Sequence, residues 1–238
     1  MKMKIHSYYL LFFTATFIFF TIIGTLTHEY GHIIVAKYFG CETTLSYGSM
    51  TFNRSTRYSD HESIYAENKY EIKNNLPFPE KDEFLRIRRM LRIERLLITV
   101  GGPFQTILTG LFGLFLLYIR RKSIKTVGLK FIDWLSVFLS LFLLREVFNL
   151  VNSISFGLLN GTGIYFGGDE VVISNYFDLP TGTISIVLGV IGLTISLFVI
   201  FNIIPIKLRL TFIISGLIGG ISGFVLWMKI LGPMVLPC

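Results

Sequence analysis

The sequence predicts an all-α protein that crosses a membrane about five times, and three observations carry that expectation. Of its 238 residues, 52% are hydrophobic and only 16% are charged, whereas a soluble domain carries about 25% charged residues. Several apolar runs reach the ~20 residues that a helix needs to cross a bilayer. The sizeable polar stretch falls in one place, 41–95, between the first two of these runs.

The spans are expected at about Tyr8–Phe39, Leu96–Ile119, Phe131–Leu150, Thr183–Ile204 and Leu210–Leu231, forming one membrane-embedded domain over 1–238. The first run exceeds the 7–15 apolar residues of a signal peptide, and no small-x-small cleavage pattern follows it, so it reads as a retained helix. Gly40 suits a helix C-terminal cap. Within 41–95, Thr43–Asn53 has β-forming residues on either side of Tyr47-Gly48, which predicts a short hairpin. Arg54–Asp82 reads as a loop. Phe84–Leu97 alternates five arginines with apolar residues and reads as an amphipathic helix lying in the headgroup region, or equally as a basic collar on the second span. Gly161–Glu170 is a glycine-rich loop. In the fifth span Gly216, Gly219, Gly220 and Gly223 make two overlapping G-x-x-x-G pairs suited to close helix packing.

The net charge of +7 does not imply a nucleic-acid partner, because the Lys and Arg residues flank apolar runs, where they anchor helices at the membrane surface. They divide almost evenly between the two faces and so leave orientation open. Cys41 and Cys238 are too few for a disulfide framework and are not spaced as zinc ligands.

One pentapeptide carries chemistry. In His28-Glu29-Tyr30-Gly31-His32 the two histidines lie one helical turn apart on one face, where both imidazoles can bind a single Zn²⁺. Glu29, offset by one residue, is placed to take a proton from water at the metal without being a ligand. Two His and a Glu within an apolar helix are costly unless a metal or partner compensates.

A third ligand is sought by parity. Five crossings bring the 41–95 loop and the 152–182 loop to the same face, and the second loop holds Asp169 just before span four. Asp169 is the preferred ligand, with Glu170 and Glu146 as alternatives. Asn149 and Asn152, at the end of span three, are candidate contacts to substrate or to a developing oxyanion. Gly101-Gly102-Pro103 is expected to kink the second span and to admit a close neighbour.

With these residues in view, the chain resembles the site-2 protease family of intramembrane zinc metalloproteases. The resemblance rests on His28-Glu29-Tyr30-Gly31-His32 in a membrane helix and on the β-prone segment after Lys37-Tyr38-Phe39-Gly40. Gly102-Pro103 in the next span and Asp169 near a later span complete it. Glu170 follows Asp169 where the family has glycine, and Gln105-Thr106 stands where an asparagine often follows the Gly-Pro. The resemblance implies peptide-bond hydrolysis within or beside the bilayer, one zinc ion per chain held by two His and one Asp, and an active site toward the cytosolic face.

The expected function is therefore cleavage of a membrane protein or peptide, in a bacterial cytoplasmic membrane, with Glu29 as general base and the hairpin holding an unwound substrate strand. The alternative is a catalytically inactive zinc-binding membrane protein that serves as a structural or helix-binding partner. A metal transporter is disfavoured by the single ligand cluster. Substrate, trigger and oligomeric state are not encoded in any motif.

Overall fold

The computed structural model describes residues 5–53, 56–161 and 166–237. Lys2, Lys4 and Cys238, the first two residues of the Arg54–Asp82 segment and part of the Gly161–Glu170 segment lie outside the described residues. Among the described residues, five helices are long and apolar enough to cross a membrane, at Ser7–Tyr38, Lys81–Val127, Phe131–Asn160, Thr183–Asn202 and Ile206–Val235. Their outward faces carry exposed Leu11, Phe112, Phe115, Val190 and Leu217. Apolar surface of that kind is what lipid, rather than water, accommodates.

Helix α1 (Ser7–Tyr38) is the axis of the bundle, packing on both α4 (Lys81–Val127) and α9 (Ile206–Leu226). It ends at Gly40, whose φ of +78° is left-handed. Gly40 N–H donates to the Lys37 carbonyl at 2.9 Å and Cys41 N–H to the Ala36 carbonyl at 3.1 Å. That pair of bonds is the Schellman stop expected of a glycine at this position.

The α1–α9 contact uses one of the two glycine pairs. A Cβ on Gly219 or Gly223 would press on the α1 backbone at Thr14 and Ile18, while one on Gly220 would meet open space. Gly223→Leu is therefore expected to lower stability by about 1–3 kcal/mol, read as a lower thermal midpoint in detergent. Gly220→Leu should leave the midpoint unchanged.

The hairpin forms as expected, from β1 (Thr43–Leu45) and β2 (Met50–Phe52) in antiparallel register with Thr44 opposite Thr51. Its tip is fixed by the end of the fifth span. Trp227 Nε1–H donates to the Tyr47 carbonyl at 2.6 Å, and Tyr47 N–H donates to the Leu236 carbonyl at 3.2 Å.

Four expectations need correction. The segment read as a loop contains α2 (Thr56–Glu67) and α3 (Lys69–Lys73). These helices are polar and lack the periodicity of a buried face, so tertiary contact decides their state; His61 of α2 stacks on Phe84 with ring centroids 4.6 Å apart.

Secondly, of the two readings of the arginine-rich segment, the basic collar on the second span is the one observed, and the separate headgroup helix is not. The segment is the first third of α4, a helix of 47 residues, about 70 Å long at 1.5 Å per residue and twice the ~30 Å of bilayer hydrocarbon. The helix also carries on through Pro103.

Thirdly, span three divides into α5 (Phe131–Ser140), a 3₁₀ turn at Leu141–Leu143 and α6 (Leu144–Asn160). It outruns its expected end because Asn149, Asn152, Ser153 and Phe156, at i, i+3, i+4 and i+7, form one face that lines a cavity.

Lastly, Asp169 does not lead directly into span four. It opens a separate short helix, α7 (Asp169–Tyr176), ahead of α8 (Thr183–Asn202). In the fifth span, α9 starts after Pro205 and passes through a π turn at Trp227–Leu231 into α10 (Gly232–Val235).

Candidate metal centre

His28 and His32 lie ten and six residues from the end of α1, so at 1.5 Å per residue they sit about 15 and 9 Å inside it. What stands opposite them is set by the crossing of α1 and α4. Gly31 and Gly101 meet backbone to backbone there, each leaving no room for a Cβ on the other. The close approach brings Gly102 against both imidazoles: a Cβ on it would lie 2.5 Å from His28 Nε2 and 2.6 Å from His32 Cε1. The Gly-Gly-Pro element thus serves packing and the site together.

Both imidazoles are held through Nδ1. His32 Nδ1 lies 2.7 Å from the Ile98 carbonyl. A carbonyl can only accept, so Nδ1 carries the proton and Nε2 presents its lone pair. His28 Nδ1 lies 3.0 Å from Thr106 Oγ1, a hydroxyl able to accept in the same way. Metal-ligating histidines are oriented by bonds of this kind.

The two Nε2 atoms converge on one oxygen. Asp169 Oδ2 is 3.1 Å from His28 Nε2 and 3.2 Å from His32 Nε2. With Nδ1 protonated on His32, and on His28 when Thr106 accepts, three lone-pair donors face a common point, an arrangement that a cation relieves. Zinc bonds of ~2.0–2.1 Å at tetrahedral angles set adjacent ligand atoms about 3.3 Å apart. The observed spacings fit that edge, and the donor set is one that zinc takes.

Glu29 is the other carboxylate within reach. Its ligand atom lies within 4.8 Å of those of His28 and His32, a looser approach than that of Asp169. The side chain is buried, lies in the cavity with Met50 of β2, and has Arg145 Nη2 at 3.9 Å. Asp169 makes the closer approach to the two Nε2 atoms, and Glu29 shares a cluster of possible ligand atoms with the two histidines.

A cavity of about 630 Å³ opens onto the centre, lined among others by Glu29, His32, Met50, Arg145, Asn149, Asn152 and Asp169. Both asparagines face it, and Asn149 Nδ2–H also donates to Glu170 Oε1 at 3.3 Å. Of the two alternative ligands, Glu170 also lines this cavity, whereas Glu146 is not among its lining residues. Glu146 and Glu170 are buried at 1% and 3% exposure, and neither Glu146 oxygen has a hydrogen-bond partner among the described residues.

Residues that the sequence reading passed over complete the site. Thr106 and the Ile98 carbonyl orient the imidazoles, Met50 shares the cavity with Glu29, and Arg145 adds a cation to it. Gln105-Thr106 had counted only as a departure from the family pattern. An arginine inside an apolar span was the available signal for Arg145, since such a residue is expensive in a bilayer.

Cys41 is close by but separate. It is 5% exposed, and its thiol donates to Glu94 Oε1 at 3.6 Å. Burial and the nearby Glu94 carboxylate push the thiol up, so it should resist alkylation. In a Cys238→Ser background, maleimide at pH 7 should label Cys41 only after denaturation; labelling of the folded protein would contradict the described packing.

Comparisons with protein-family models, with curated proteins and with solved structures gave no match.

Proposed function

We propose that this protein is an intramembrane zinc metalloprotease, of the site-2 protease type that its sequence resembles. The observation that carries the proposal is the convergence of His28 Nε2, His32 Nε2 and Asp169 Oδ2, with Glu29 beside them, inside a helix apolar enough to cross a membrane. We take that membrane to be the cytoplasmic membrane of a bacterium, which rests on the resemblance alone.

Zinc, when bound by His28, His32 and Asp169, would supply Lewis acidity that polarises a peptide carbonyl and eases ionisation of water. The chain's own residues perform the proton steps. Glu29 takes a proton from the attacking water and delivers it to the leaving amine nitrogen. Arg145 holds the Glu29 carboxylate toward the cavity. Ile98 and Thr106 keep both imidazoles turned so that Nε2 faces inward.

A substrate helix has to unwind before its amides can be reached, because its backbone groups are otherwise hydrogen-bonded. β2 is suited to receive the unwound strand. The bonds between Ser46 and Ser49 and between Asn53 and Glu42 make Thr44 and Thr51 a hydrogen-bonded pair, so the main-chain groups of Met50 and Phe52 point away from β1. Met50 and Phe52 also line the cavity. A strand added at that edge would lie alongside Glu29.

Zinc content of purified variants tests the ligand set. Asp169→Ala is expected to lower zinc affinity at least 100-fold, with Glu29→Ala close to wild type. The reverse ranking would make Glu29 the ligand and remove the general base from the scheme.

A further inference from the structure

The uncharged part of α4 runs over 96–119, between Arg95 and Arg120. At 1.5 Å per residue it is about 36 Å long, enough to cross ~30 Å of hydrocarbon with a tilt. The turns just ahead of Leu96 therefore lie level with phospholipid headgroups. Leu85, Arg88, Arg89 and Arg92 occupy those turns at i, i+3, i+4 and i+7, so they share one face of the helix. Together they line a hollow of about 480 Å³ with no carboxylate in its wall.

The arginines of this face are little engaged by the protein itself. Arg88 and Arg89 are exposed and make no hydrogen bond or ion pair among the described residues. Arg92 donates from one guanidinium nitrogen to the Tyr176 carbonyl at 3.0 Å and lies 4.9 Å over the Tyr176 ring. That contact fixes its head beside α7 and leaves further N–H donors on the guanidinium. Arg86, which is off this face, is instead paired with Glu83 at 2.6 Å.

An apolar strip continues from the arginines toward the bilayer centre. Ile93, Leu97 and Phe104, at four, eight and fifteen residues beyond Arg89, keep to its side of α4, and all three are exposed. Guanidinium groups pair with phosphate oxygens in a two-pronged geometry. Three of them at the head of an exposed apolar strip match an anionic phosphate that carries acyl chains. An acidic peptide would match the charge but would leave the strip without an occupant.

We infer that Arg88, Arg89 and Arg92 form a binding site for the phosphate headgroup of an anionic phospholipid, whose acyl chains lie along Ile93, Leu97 and Phe104. The site is separate from the zinc centre and stands whether or not that centre cleaves peptides.

The test is native mass spectrometry of the full chain in detergent, offered phosphatidylglycerol and phosphatidylcholine of matched chain length in equal amounts. Wild-type protein should retain phosphatidylglycerol about 10-fold over phosphatidylcholine. In Arg88→Gln/Arg89→Gln/Arg92→Gln the preference should fall to within about twofold. Arg88→Gln/Arg89→Gln breaks no described bond and should lower the preference by about threefold, so the result does not hang on the contact of Arg92 with α7. Arg121→Gln/Lys122→Gln/Lys125→Gln removes equal charge from the other end of α4 and should keep the wild-type preference.

Equal loss in the two triple variants would reduce the preference to net charge and overturn the site. So would wild-type protein that retains the two lipids equally. Inorganic phosphate or a glutamate-rich peptide that displaces phosphatidylglycerol at equal concentration would give the hollow another occupant and overturn the lipid assignment.

Discussion

Replacing Glu29 with Gln should lower peptide cleavage by roughly 10²–10⁴-fold, the range supplied by a positioned general base, while zinc content stays at the wild-type level. Gln has nearly the same shape, so the surroundings of the side chain are kept. It cannot take up the proton of an attacking water. The metal should remain because Glu29 does not share the tight approach made by Asp169, whose Oδ2 lies 3.1 and 3.2 Å from the two Nε2 atoms. Rates on a peptide substrate, measured beside metal analysis of the same samples, separate the two effects. A variant that loses zinc together with activity would show that Glu29 is part of the ligand set.

Gly102→Ala is the second large effect, and it should abolish tight zinc binding with a loss of about 100-fold or more. The added methyl would sit 2.5 Å from His28 Nε2 and 2.6 Å from His32 Cε1. It would fall on the ligand atoms themselves, and relieving the overlap would require α4 to move away from α1 and give up the close Gly31–Gly101 approach. Gly128→Ala on the same helix boundary is not an adequate control, because its φ of +87° is itself restrictive. Gly220→Ala, which meets open space, is the suitable one. Isothermal or chelator-based zinc titration reads the difference.

Much of this architecture is legible in the sequence, for identifiable reasons. Long apolar runs fix the number of spans because length and hydropathy need no tertiary information. Gly40 and Tyr47-Gly48 mark a helix stop and a hairpin turn through local backbone geometry, and both are observed. The His28/His32 spacing specifies a shared helix face by itself.

The expectations that failed each depend on what a segment packs against. α2 and α3 are too polar to display a buried face; α2 forms against α4, and α3 against α2. α6 outlasts its apolar stretch because a cavity wall tolerates Asn149 and Asn152 where lipid would not. Glu146 and Glu170 carried the right chemistry for ligands, but which of three nearby carboxylates meets the histidines depends on how α7 docks, and no spacing rule covers that. Ile98 contributes through its carbonyl, to which side-chain identity gives no access.

The central claim is that the zinc centre is a catalytic one acting on membrane proteins, and it can be tested before any substrate is known. Membranes from cells expressing the wild-type protein and from cells expressing Glu29→Gln at equal abundance can be compared by sequencing of newly formed N-termini. The account predicts termini within or beside membrane-spanning segments that occur with the wild type alone and vanish when a membrane-permeant zinc chelator is added. Identical terminal profiles from the two strains, with zinc bound to both proteins, would contradict it and leave a zinc site without proteolysis.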